Sequence, residues 1–476
     1  MREPFILFIH PQGSNWLSEE IDITRIANIM PPYGLLILSS YLDKKNIKNE
    51  IIDLYAYPEK KESLLEKIKD LNPTHIGITS TTSSFFDGYE IAKLVKENFK
   101  EIKIIFGGVH PTAIYEKILR NFKEIDYIVI GEGEETIYQL LTSQDLENVK
   151  GVAFRKNGDV IFTGRRKLIE DLDTLPFPAY HKLKGFPSKY KLPIFNYPRS
   201  PSTTFLTSRG CPYSCSYCDR SVFGPTFRAH SSDYLIEHLR FLKKNYNIRH
   251  INIYDDNFLL KKERVIDFCE KILKENLRIT FNCIGRSNHL DEEVLKFLKK
   301  AGCWMINIGV ESGDEELLKP HRTKPEVERI KEIVIKIKEN GIRVKGLFMM
   351  AIPGETKETI EKTMEFACKN PFDDLNVTKF TPFPGTPIYE KIKDYGDFEE
   401  DWSKMNCLNF VFIPKGFTKE ELERYYDLFF KKFYGRPKML INYFSMLWKS
   451  PESVYRFVKD FSSFLKARKN LRGSHD

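Results

Sequence analysis

Residues 203–219 read TTFLTSRGCPYSCSYCD: five residues suited to a buried strand, then a loop carrying Cys211, Cys215 and Cys218. The spacing, three residues and then two between cysteines, lets one short loop wrap a cuboidal [4Fe-4S] cluster, for which thiolates are preferred ligands. Three thiolates leave one iron without a protein ligand, so a small molecule can bind it directly. A zinc knuckle would need a fourth Cys or His nearby, and His230 is the only close candidate. Buried free cysteines are the remaining alternative.

Working outward, apolar runs alternate with helically spaced segments on both sides of this loop. Downstream, strands are expected at Thr203–Thr207, His250–Tyr254, Arg278–Ile284, Trp304–Val310, Val344–Met350 and Leu375–Phe380. Helices between them include Tyr234–Tyr246, Lys262–Lys274, Asp291–Lys300, Pro325–Asn340 and Lys357–Cys368. This predicts a partial (β/α)6 barrel over residues 201–400, with its active site at the carboxyl ends of the strands. Upstream, residues 1–145 read as five strand–helix pairs, with strands at Phe5–Ile9, Glu50–Leu54, His75–Thr79, Lys103–Phe106 and Tyr127–Ile130. Runs of this kind predict a doubly wound, flavodoxin-like parallel sheet. Between the two lies a connecting segment, 146–200. It holds a hairpin over Gly151–Gly164, turned at Asn157-Gly158, and a proline-rich stretch from Pro176 to Pro201. Residues 401–476 are expected to be helical. The fold class is α/β.

Bulk properties bound the function. The chain of 476 residues is 41% hydrophobic and 29% charged, which fits a globular protein of two or three domains. A formal charge of +8 is spread along the chain and suits anionic cofactors at least as well as nucleic acid. No export signal and no apolar run of roughly 20 residues is read. Of the eight cysteines, none falls in residues 1–210, three fall in the loop, and Cys269, Cys283, Cys303, Cys368 and Cys407 are scattered. That distribution is not a disulfide framework and points to metal in a reducing cytoplasm.

Ser208–Asp219 resembles the signature of radical S-adenosylmethionine (SAM) enzymes, and the likeness runs to about residue 400. It is similar above all to the cobalamin-binding subgroup related to the anaerobic magnesium-protoporphyrin IX monomethyl ester cyclases and to C-methyltransferases. The resemblance implies that the methionyl amine and carboxylate chelate the open iron and that the reduced cluster cleaves the sulfonium to a 5'-deoxyadenosyl radical. Tyr213 and Tyr217 resemble the loop aromatics that shield cluster and adenine. Asp255 and Asp256, ending the second barrel strand, stand where the family contacts the methionyl amine; a solvated turn is the competing reading. Arg286 stands where related enzymes place a partner for the carboxylate, as bidentate geometry allows, against a plain surface arginine. Glu311, followed by Ser312, matches the Glu that accepts from the ribose hydroxyls, against a structural cap. Glu355, in a segment that resembles the adenine-packing one, could equally be a helix-terminal charge. Phe383–Pro387 matches a family segment without an evident chemical role.

In the first domain, loops at three strand ends resemble the subgroup's cobalamin site. They contain Thr79, Ser80 and Thr81; Gly107, Gly108 and His110; and Gly131, Glu132 and Gly133. Glycines there permit close approach of a large flat ligand. One departure matters: members that coordinate cobalt through protein use Asp-x-His-x-x-Gly, whereas here Phe8 replaces Asp before His10. The chain therefore looks like members without a lower histidine; a vestigial domain with no cofactor is the alternative. The absence of cysteine from residues 1–210 argues against methylthiotransferases, which carry a second cluster there.

The tail, Leu422–Tyr434 and Pro437–Leu465, alternates aromatic with basic residues. It is expected to cover the barrel, or alternatively to rest on the inner face of a membrane or receive a lipid or porphyrin. The expected activity is methylation of an unactivated carbon through the 5'-deoxyadenosyl radical and methylcobalamin, with [4Fe-4S] cluster, SAM and cobalamin as cofactors. The alternatives are a radical cyclase or rearrangement enzyme on the same cofactors, or a non-catalytic iron–sulfur sensor or scaffold. Expected partners are a small-molecule, lipid or tetrapyrrole substrate and an electron donor such as flavodoxin or ferredoxin, without nucleic acid.

Overall fold

The computed structural model describes residues 2–13, 29–190, 192, 196–439, 441, 451–452, 454–455 and 458. Most of the tail reading Pro437–Leu465 lies outside these residues.

The first sheet begins with β1 (Phe5–His10), followed by α1 (Tyr33–Lys44), β2 (Lys48–Asp53), α2 (Lys61–Leu71) and β3 (His75–Thr79). It continues through α3 (Phe85–Asn98), β4 (Lys103–Gly107), α4 (Val109–Asn121), β5 (Tyr127–Val129) and α5 (Glu134–Thr142). The five strands are parallel in the order β2-β1-β3-β4-β5, the flavodoxin-like arrangement. Parallel strands covered on both faces need continuous apolar runs, and Phe5 to Ile9 are all buried. The hairpin β6 (Val152–Lys156) and β7 (Asp159–Phe162) pairs antiparallel onto β5. It is thus part of this sheet, although sequence order places it in the connecting segment; its pairing partner, β5, is set by the tertiary fold.

The second sheet has six parallel strands and open edges, in the order β15-β14-β13-β12-β11-β8. They are β8 (Ser202–Phe205), β11 (His250–Ile253), β12 (Thr280–Gly285), β13 (Cys303–Glu311), β14 (Arg343–Met350) and β15 (Asp374–Lys379). Two short strands, β9 (Ser208–Arg209) and β10 (Arg228–Ala229), pair antiparallel just beyond β8 and close the cysteine loop at its base. The helices α6 (Ser232–Tyr246), α7 (Lys262–Lys274), α8 (Glu292–Ala301), α9 (Val327–Glu339) and α10 (Lys357–Lys369) connect the strands of the second sheet. Their apolar faces share one core with the sheet. Sequence punctuation fixes their ends: Asp291 caps α8 through Val294 N, and Thr356 forms a capping box with Thr359 on α10.

After β15 the chain returns to the first sheet. An antiparallel ribbon of β16 (Gly396–Phe398) and β17 (Phe412–Pro414) brackets Trp402, and α11 (Lys419–Tyr434) follows. Trp402 is buried in the first sheet's core, stacked on Phe86 at 5.7 Å and edge-on to His110 at 4.5 Å and Phe85 at 5.3 Å. Beside it Lys117 pairs with Glu400 at 2.6 Å. Among the described residues, no helix is long and apolar enough to cross a membrane.

Removing this plug opens a large apolar void. Trp402→Ala is expected to cost about 3–5 kcal/mol of stability, read as a lower urea midpoint with faster amide exchange in α3 and α4. Trp402→Phe should recover most of the loss.

Candidate functional site

The carboxyl ends of the two sheets face each other, and two cavities lie between them. The inner one, about 430 Å³, is lined by Cys211, Cys215 and Cys218, by Tyr213 and Tyr217, and by Asp256, Arg286, Glu311 and Arg322. Loop closure is explained by hydrogen bonds to the segments that follow β11 and β13. Gly210 N donates to Asp256 Oδ2 at 3.0 Å, Ser214 N to Thr323 Oγ1 at 3.0 Å and Ser216 N to His321 O at 2.8 Å. His321 is itself held by Ser216 Oγ at 3.0 Å and Pro353 O at 2.8 Å. The Cys218 thiol, hydrogen-bonded to Cys215, pulls the Cys215 thiol down, aided by Arg286, whose Nη1 lies 3.8 Å from Cys215 Sγ. Three soft thiols around one cavity, with a cation against them, fit an anionic iron–sulfur cluster with one iron unligated by protein.

Arg286 is not a loose surface side chain. Its guanidinium stacks 4.2 Å from the Tyr213 ring centroid and donates to the carbonyls of Thr323 and Lys324. Glu311 ends β13 at a register shift with φ of +64°, a left-handed conformation uncommon for a residue with a side chain. Arg322 compensates its charge, with Nη1 3.4 Å from Glu311 Oε1 and Nη2 donating to Gly309 O at 2.9 Å. Burial still pushes the Glu311 carboxyl up.

The strand-end carboxylates separate into two kinds. Asp256 faces the cavity; burial, then the neighbouring Asp255 charge, push its carboxyl up. Asp255 is turned away from it and wholly occupied, accepting from Thr207 N at 2.6 Å, from the Thr207 hydroxyl and from Ser208 Oγ at 2.6 Å. Ser312 is likewise buried, bonded to Thr363 Oγ1 at 2.8 Å, and Glu355 accepts from Ala351 N at 2.5 Å. None of these three lines either cavity.

The outer cavity, about 350 Å³, lies over the first sheet. It is lined by Thr79, Gly107, Gly108, Gly131, Glu132 and Gly133 from that side and by Ser208, Arg209, His230 and Tyr254 from the barrel. Bare glycine backbone along one wall, with the buried Ser80 hydroxyl unpartnered behind it, fits a broad ligand rich in amide groups. Thr81 instead bonds Ser84 at the surface, and His110 is buried against Trp402 with Nδ1 3.2 Å from Thr82 Oγ1. Burial drives the His110 imidazole down to about 3. His10 pairs with Asp53 at 2.8 Å, and it lines neither cavity.

Glu132 is not free for a ligand. It accepts from Arg209 Nη1 at 2.6 Å, Arg228 Nη1 at 2.9 Å and Ile169 N at 2.7 Å, while Glu134 takes Arg209 Nη2 at 2.6 Å. Arg209, Arg228 and Arg322 carry no local sequence signal for this role; each is one arginine in a basic chain.

Fold and site together define a class: an enzyme that mounts a three-thiolate iron–sulfur centre on an open parallel barrel, beside a flavodoxin-like cofactor domain. The comparisons agree. Residues 205–367 match the Radical SAM superfamily and residues 20–141 the B12 binding domain. An uncharacterized methyltransferase of Pyrococcus horikoshii is 33% identical over 418 residues, covering 86% of this chain and 89% of that one. The anaerobic magnesium-protoporphyrin IX monomethyl ester cyclase of Cereibacter sphaeroides is 27% identical, covering 97% and 75%. Among solved structures, the radical SAM methyltransferase TsrM from Kitasatospora setae, with cobalamin and [4Fe-4S] cluster bound, superposes with a TM-score of 0.67 at 18% identity, covering 83% and 75%. The chain belongs to the radical SAM superfamily, in the branch that carries a B12 binding domain. It is a cobalamin-dependent radical SAM enzyme, and its cofactors are a [4Fe-4S] cluster, SAM and cobalamin.

Glu355 gives a pH-dependent expectation. Burial pushes its carboxyl from 4.5 up to about 8, so folding takes up a proton between these values and stability falls as pH rises through that window. Glu355→Gln is expected to flatten this fall and to exceed the native chain in urea midpoint above about pH 8.

Proposed function

We propose that the enzyme methylates an unactivated carbon of a small molecule. The observation that carries this reading is that the two cavities adjoin: Val109, Val222, Phe223 and Asp256 line both. A methyl carrier in the outer cavity and SAM in the inner one would face each other across Asp256. When bound, the cluster and SAM supply a radical able to abstract hydrogen, and cobalamin supplies the methyl group.

The chain's own residues hold and shield these groups. Cys211, Cys215 and Cys218 are the cluster ligands, with Tyr213 and Tyr217 covering them. Asp256 receives the methionyl amine, Arg286 the carboxylate and Glu311 the ribose hydroxyls, whose donated bonds stabilise a carboxylate that burial otherwise disfavours. Asp255, Ser312 and Glu355 act on SAM only by fixing the loops around it. Thr79, Gly107, Gly108, Gly131 and Gly133 border cobalamin, while Ser80, Thr81, His110 and Glu132 support that wall from behind or beside it. In this reading residues 1–145 carry cobalamin, 201–400 carry cluster and SAM, and α11 packs on the barrel core. Walls drawn from both sheets exclude water and oxygen from the reacting carbon.

The cyclase relative, which covers 97% of this chain, favours a second reading: ring closure on a tetrapyrrole without methyl transfer. SAM deuterated in its methyl group separates the two. Methylation predicts 5'-deoxyadenosine together with a product carrying the labelled methyl; an unlabelled cyclised product would sink the methylation reading. Independently, Glu311→Gln is expected to weaken SAM binding by about tenfold at unchanged iron content, measured by equilibrium dialysis.

A further inference from the structure

A third cavity, about 380 Å³, opens where the first sheet, the exit of the cysteine loop and the loop after β15 meet. Thr112, Arg165, Arg220, Ser221 and Gly385 line it, and Arg220 also lines the inner cavity. The opening and the space beside the three cysteines thus share one wall, the Arg220 side chain.

Among the described residues, Arg165 and Arg220 meet no carboxylate, unlike several arginines around the other two cavities. Arg209 and Arg228 are bound to Glu132 and Glu134, Arg322 to Glu311, Arg166 to Thr136 and Gln139, and Arg286 to two carbonyls. Arg165 donates only to Ser221 O, at 2.9 Å, and Arg220 has no side-chain partner among the described residues. Arg220 Nε is buried and unsatisfied, which costs free energy unless a ligand satisfies it. The nearby carboxylate, Asp219, is already engaged by Ser221 N at 2.7 Å and Ser221 Oγ at 3.0 Å. Thr112, only 2% exposed, accepts from Gly131 N at 3.2 Å, and its hydroxyl proton has no acceptor among the described residues.

Gly385 shows that the opening is built. Its φ is +91°, and a Cβ there would lie 2.8 Å from Asp219 Oδ1 and 2.9 Å from Ala113 Cβ. Only glycine lets the three loops close this tightly, which gives the Phe383–Pro387 segment a physical role.

We propose that Arg165, Arg220 and Thr112 form an oxyanion site at the doorway to the inner cavity, and that the substrate is held there by a carboxylate or phosphate group. Two guanidinium groups and a hydroxyl donor match the several acceptor lone pairs of such an anion. An anion seated there leaves the rest of the substrate pointing past Arg220 toward SAM. This assignment rests on the reading that a small molecule reacts in the inner cavity, but its test requires no turnover.

The test uses full-length protein reconstituted with cluster, SAM and cobalamin, titrated calorimetrically with tricarballylate and with inorganic pyrophosphate. Saturable binding of either probe is expected, a preference for tricarballylate indicating a carboxylate and for pyrophosphate a phosphate. Arg165→Gln and Arg220→Gln should each weaken it by about tenfold or more, with Arg165→Lys intermediate. In Arg165→Gln, iron content and the affinities for SAM and hydroxocobalamin should stay unchanged. Arg165 lines the outer opening alone, so its variants report even where Arg220→Gln disturbs the adjacent cysteine loop. Absence of binding by both probes, or native affinity in both Gln variants, overturns the proposal. So does a parallel loss of SAM or cobalamin affinity in Arg165→Gln, which would assign the arginine to a cofactor. None of these outcomes bears on where the labelled methyl goes.

Discussion

A buried lattice of two glutamates and two arginines joins the halves of this enzyme. Glu132 and Glu134 leave the first sheet beside β5, and Arg209 and Arg228 come from the paired strands at the base of the cysteine loop. Four charges removed from water are tolerable only because each meets an opposite charge at hydrogen-bond distance; deleting one would strand its partner. Arg209 stands two residues before Cys211, so the strand that delivers the first thiolate is anchored to the cobalamin domain. Neither cofactor wall can shift without breaking these bonds.

The strand-end carboxylates show how one residue type serves two purposes. Asp255 and Glu355 spend their lone pairs on backbone amides and hydroxyls, so they shape loops. Asp256 and Glu311 keep carboxylate surface toward the cavity, and both are pushed toward the neutral form by burial. A ligand that donates hydrogen bonds or carries positive charge relieves that penalty. The left-handed backbone at Glu311, held by Arg322 and two carbonyls, is local strain kept at a residue that lines the inner cavity.

On the opposite flank, Trp402 locks the returning chain into the aromatic cluster around Phe85 and His110. The barrel is thus tied to the first sheet from two sides: a polar lattice near the cysteine loop and an apolar plug behind the glycine-lined wall of the outer cavity. Clamping from both sides suits chemistry in which two cofactors must meet across a narrow space while water is kept out.

By itself the sequence determined what is local. Strand–helix alternation, the cysteine spacing and the helix caps each fit within a short window, because apolar periodicity and loop wrapping depend on near neighbours. Tertiary structure decided what depends on partners far along the chain. It turned Asp255 inward and Asp256 outward, although they are adjacent. It consumed Glu132 with Arg209, 77 residues away, added the hairpin to the first sheet, and brought Lys117 to Glu400 across 283 residues. Among the described residues it also left Arg165 and Arg220 without a carboxylate partner at the same opening. Charge pairing carries no periodicity, so only the folded chain shows which arginine meets which carboxylate and which meets none.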